Sequence, residues 1–102
     1  MLFRSPRAPR LDRAGAETMA AQALAFLAED GARLVAFCRA SGIEPAELAR
    51  AAGAPETLRA VLEHLAADDS LLLVFTSARA IEPQQVHQAI ALLDGGGYVP
   101  ST

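Results

Sequence analysis

Few side chains in this sequence are able to do chemistry. Its 102 residues hold one Cys, two His and twelve acids. His64 and Asp68 stand four residues apart, a spacing that puts an imidazole and a carboxylate on one helical face. Such a pair suits proton transfer or half of a metal site, but by itself completes neither. The plainer reading is a half-buried His beside a helix N-cap. His87 sits among Gln84, Gln85 and Gln88, the composition of a solvated helix face. Cys38 reads as a small core residue, since a free Cys is usually buried and inert. Zinc coordination needs several Cys or His in clustered pairs, which are absent from the sequence. No Gly-rich loop opens a helix, because Gly95-Gly96-Gly97 follows one instead. The sequence therefore leads us to expect no catalytic residue, no metal and no cofactor.

A second pattern concerns nucleic acid. Residues 45–67 run Pro45-Ala46-Glu47-Leu48-Ala49-Arg50, then Gly53, then a second helical segment from Pro55. That order resembles a helix-turn-helix, with Arg50 and Arg59 as candidate phosphate contacts. Leu58 falls one position early for the pattern, leaving Arg59 in its place. The face that would meet DNA carries Glu56, Arg59, Ala60 and Glu63, more acidic than basic. The N-terminal arginines Arg4, Arg7, Arg10 and Arg13 partly restore the case as a basic arm. DNA binding is thus the alternative expectation.

Charge is distributed unevenly along the chain. The net charge of −3 combines four Arg and one acid in residues 1–13 with five Arg and eleven acids in residues 14–102. Pro6 and Pro9 exclude a continuous helix at the start, so residues 1–15 are expected to form a flexible arm, and residues 95–102 a flexible tail. The apolar run Leu71-Leu72-Leu73-Val74-Phe75 is far short of the ~20 residues that span a bilayer. The start lacks signal-peptide form and Cys38 has no partner Cys. Those two features predict a cytoplasmic protein without membrane attachment.

The elements that position these residues are helical. Ala and Leu occupy 37 of 102 positions, whereas aromatic residues make up 5%. Apolar stripes recur at helical spacing: Met19, Ala23, Phe26, Leu27; Leu34, Phe37, Cys38, Ser41; Leu58, Val61, Leu62, Leu65; and Val86, Ala89, Ile90, Leu93. Asp30 and Asp68-Asp69 are N-cap candidates, and Pro45, Pro55 and Pro83 suit first helical turns. The expected fold is all-α, with helices at about 17–28, 31–41, 45–52, 55–67, 69–79 and 83–94.

The chain also matches itself. At an offset of 38, residues 23–52 align with 61–90 without a gap. Identical pairs include Leu27/Leu65, Asp30/Asp68, Leu34/Leu72, Phe37/Phe75 and the Ile43-Glu44-Pro45/Ile81-Glu82-Pro83 signature. Helical solenoids usually need about three copies or more, so two three-helix units are expected to close on each other as a pseudo-twofold bundle. Ala36, Ala40, Ala49, Ala52, Ala66 and Ala78 are the expected sites of close helix approach. The helix over 69–79, apolar on all sides around Leu71 to Phe75, is expected to be the central buried element.

Three segments resemble a known family. Ala23-Leu24-Ala25-Phe26-Leu27-Ala28, Gly42-Ile43-Glu44-Pro45-Ala46-Glu47-Leu48, and Val61-Leu62 with Leu71-Leu72-Leu73-Val74-Phe75 look like the bacterial domain of unknown function family 3572. The resemblance covers about residues 16–94 and rests on packing motifs. It implies a bacterial, chiefly alphaproteobacterial, origin, and it transfers no activity, substrate or site residue.

By elimination, the expectation for function is a non-catalytic interaction or regulatory module. Its partner would be an unknown protein or a second copy of the chain. A mean hydropathy of +0.23 is high for so small a chain and favours some exposed apolar surface.

Overall fold

The computed structural model describes residues 11–94. Within them the chain forms six helices: α1 (Arg13–Ala28), α2 (Gly31–Ser41), α3 (Pro45–Ala51), α4 (Pro55–Ala66), α5 (Asp69–Arg79) and α6 (Pro83–Asp94). No strand occurs among the described residues.

Local chemistry sets the starts. Asp30 is extended and its carboxylate accepts from the backbone N–H groups of Ala32 and Arg33, while Asp68 accepts from Leu71. Pro45 and Pro55 open their helices after extended residues, as the steric demand of proline on its predecessor requires. α1 begins four residues before the expected position. Asp12, read in the sequence only as a charge in the arm, accepts from the Gly15 N–H at 2.8 Å and caps the helix.

α4 is the centre of the bundle. It buries Thr57, Leu58, Val61, Leu62 and Leu65, and packs on α1, α2, α5 and α6. α1 and α6 form the other large contact. α5 is not the central element, contrary to expectation. It buries Leu72, Phe75 and Thr76 against the core but leaves Leu73 and Val74 about half exposed (55% and 46%). Only one stripe of this eleven-residue helix faces the core, because α1 and α6 already cover the remaining flanks of α4.

The alanines of close approach also differ from those expected. Ala36, Ala40, Ala49 and Ala78 are exposed, and Ala52 and Ala66 half-buried. Close packing instead uses Ala16, Ala20 and Ala23 on α1 and Ala89 on α6, all fully buried. Spaced i, i+4, i+7, the three alanines of α1 form a shallow stripe that admits a neighbouring backbone.

Several backbone features recur at the offset of 38. α2 and α5 are both eleven residues long and start and stop 38 apart. Each follows an Asp cap and ends in a left-handed residue, Gly42 (φ 80°) and Ala80 (φ 57°). Phe37 and Phe75 are both fully buried. The third helices part company. α6 runs twelve residues and packs on both α1 and α4, whereas α3 runs seven and buries only Leu48.

Candidate functional site

The chemical residues singled out from the sequence do not converge. Asp68 spends its carboxylate on the α5 cap, and His64 packs edge-on against Phe37 with ring centroids 5.4 Å apart. His87 is exposed on α6, and Cys38 is a buried free thiol on α2. No group of three or more His, Cys, Asp or Glu able to hold a metal occurs among the described residues.

The arginines of the DNA alternative are engaged within the chain where they are described. Arg50 pairs with Glu47 at 3.1 Å. Arg59 pairs with Asp94 at 2.5 Å and lies 3.8 Å from Glu63. Arg13 belongs to α1 and not to an arm: its guanidinium donates to the Leu92 carbonyl at 3.1 Å and lies 3.4 Å from Glu17. Arg4, Arg7 and Arg10, like the Gly95-Gly96-Gly97 triplet, lie outside the described residues. In the helix-turn-helix segment, α4 turns its apolar face to the core and leaves Glu56 and Glu63 exposed, with Arg59 half-buried between them.

The surface carries three further features. The first is the outer face of α5, where Leu73 and Val74 stand among Ser70, Ser77 and Ala78. Asp69, one turn before Leu73, is the one charged residue among the exposed, described residues of α5. The corresponding face of α2 carries Val35 and Ala36, with Arg39 where α5 has Ser77. The offset of 38 was a usable signal here, since it pairs Leu73 with Val35, a residue of α2 that is also exposed (48%).

The second feature is a cleft of about 360 Å³ at the corner between α2 and α3, lined by Val35, Cys38, Arg39 and Gly42 to Pro45. It exists because short α3 does not fold back over α2. The third is a cleft of about 240 Å³ between α2 and α4, lined by Phe37, Ala40, Ser41, Ala60, Glu63, His64 and Ala67. The first cleft is built from the single stretch 35–45, whereas the second needs the tertiary arrangement, because it draws its walls from α2 and from α4 with its C-cap.

No helix among the described residues is long and apolar enough to cross a membrane. No curated protein and no solved structure matches the chain. One family model does match, described as protein of unknown function (DUF3572), and it covers residues 13–96, from the first residue of α1 to just past the end of α6. The chain belongs to this family.

Proposed function

We propose that the protein is a non-catalytic interaction module that binds another protein through the outer face of α5. The observation that carries this reading is the exposure of Leu73 and Val74 side by side on the outer face of α5. Large apolar side chains exposed next to each other, with polar residues around them, mark a surface suited to contact with another protein. The flanking Ser70, Ser77 and Ala78 are small and uncharged, which lets a second helix approach closely at little desolvation cost. The scattered chemical residues and the intramolecular pairing of Arg13, Arg50 and Arg59 favour this reading over catalysis or DNA binding.

A photo-crosslinking side chain at Val74 of the full chain tests the reading in cells of the source organism. Discrete crosslinked products are expected, and Leu73→Asp should abolish them while leaving the melting temperature unchanged. Equal products from a crosslinker at exposed Gln88 would sink the idea. Light scattering separates a second copy from a different partner, since a self-associating face gives twice the monomer mass.

A further inference from the structure

We infer that the cleft between α2 and α4 is a binding site for a guanidinium group, supplied by an arginine side chain of a partner protein. The chain holds its own template for this site. Shifting the cleft residues by 38 leads to α1 with its C-cap and to α5, where Phe26 and Phe75 stand in place of His64 and Phe37. The ring pairs match closely: 5.3 Å and 59° for Phe26 and Phe75, 5.4 Å and 71° for His64 and Phe37. On the Phe26 side, the space is filled. The Arg79 guanidinium lies 5.9 Å from the Phe26 ring centre and donates to Glu29 at 3.2 Å. Arg33 covers the same ring at 4.8 Å.

On the His64 side the counterparts of these two cations are Ser41 and Leu71, and the space that Arg79 fills opposite is an open cleft. The acid is retained at a shifted position: Ala67 replaces Glu29, but Glu63, one turn earlier on α4, lines the cleft. Glu63 is half exposed and only 3.8 Å from Arg59, which holds Asp94 more closely, so its charge remains available. A planar cation can therefore stack on the imidazole, with the Phe37 ring behind it, while pairing with Glu63. Lysine lacks the plane that stacks and the fork that pairs, so the site discriminates between the two cations. The site is separate from the α5 face and does not depend on that reading.

The test is a titration of the full chain with N-acetyl-arginine amide, followed by the imidazole signals of His64 and His87 in carbon–proton correlation spectra. The His64 signals should move saturably while exposed His87 stays still, and N-acetyl-lysine amide should move His64 less. Ala67→Glu restores the acid that Glu29 supplies opposite and should tighten binding about threefold. Ser41→Arg should fill the cleft from within and abolish the response, with helical circular dichroism retained. Leu73→Asp should leave the titration unchanged, whatever becomes of partner binding at α5. Unmoved His64 signals, equal movement with sodium chloride, or full arginine binding by the Ser41→Arg protein would each overturn the assignment. If changing Arg4, Arg7 and Arg10 to Gln shifts His64 before any probe is added, the chain's own arginines occupy the cleft and the partner assignment fails.

Discussion

The ring of Phe26 on α1 meets the ring of Phe75 on α5 at 5.3 Å and 59°, across the boundary between the two halves of the chain. Phe37 and His64 repeat this relation in reverse, the second helix of the first half meeting the first helix of the second. Each half thus hands an aromatic to the other, as equivalent patches do at a twofold interface. Phe75 is fully buried and Phe26 nearly so. Phe75→Ala should therefore cost about 3 to 5 kcal/mol, read from urea unfolding. A double-mutant cycle with Phe26→Ala should show coupling of about 0.5 to 1.5 kcal/mol. An unchanged unfolding midpoint in Phe75→Ala would refute this account of the core.

Left-handed ends of α2 and α5 give a second prediction. Gly42 takes φ 80° without strain, whereas Ala80 takes φ 57° with a side chain to accommodate. Ala80→Gly should stabilise the protein by about 0.5 to 1 kcal/mol, because relief of the left-handed strain outweighs the added freedom of the unfolded chain. Gly42→Ala should destabilise by about 1 kcal/mol through the backbone alone, since an added Cβ at Gly42 would meet nothing within 4 Å. Thermal melts of the two variants should move in opposite directions.

Close packing in the core relies on side chains that stop at Cβ. Ala20 and Ala89 are fully buried. Enlarging Ala20 to Leu should cost about 1 to 3 kcal/mol by forcing the helices apart, whereas the same change at exposed Ala36 should be close to neutral. Equal destabilisation at both positions would mean that close approach lies elsewhere.

Aspartate caps on α2 and α5 supply the fourth prediction. Asp30 and Asp68 each accept a backbone N–H at 3.0 to 3.1 Å. Asp30→Ala and Asp68→Ala should each cost about 1 kcal/mol, while Asp→Asn at either site should recover most of it, since Asn caps nearly as well. Chemical denaturation of the four variants separates the loss of the cap from the loss of charge.

How much of this was legible beforehand depended on the range of the interaction concerned. Periodic Leu and Val stripes, the Asp caps at 30 and 68 and the prolines at 45, 55 and 83 located the six helices to within a few residues, because each acts over one or two turns. The start of α1 was missed where one local residue had two uses, Asp12 serving as a cap while reading as arm charge. The family was also readable from the sequence, since its motifs are local packing motifs.

The candidate sites were less legible. Arg50 and Arg59 were picked out by spacing, but nothing in their own segment indicated that Asp94, thirty-five residues beyond Arg59, would take its charge. The exposed side of α5 is hidden from its own sequence for the same reason. A stripe of apolar residues says that a helix has something to bury, but not how many neighbours will come to cover it.

The sequence by itself determined the helices, their caps and the recurrence at 38 residues, all of which follow from hydrogen bonds and side-chain rows within a few turns. Only the tertiary structure decided which helix lies at the centre, which alanines touch and which cations are already paired. Those outcomes arise from competition among distant elements for a limited core surface. α1 and α6 occupy the flanks of α4, so α5 keeps Leu73 and Val74 at the surface. Arg79 fills one aromatic crevice, and Ser41 at the equivalent position leaves the other open.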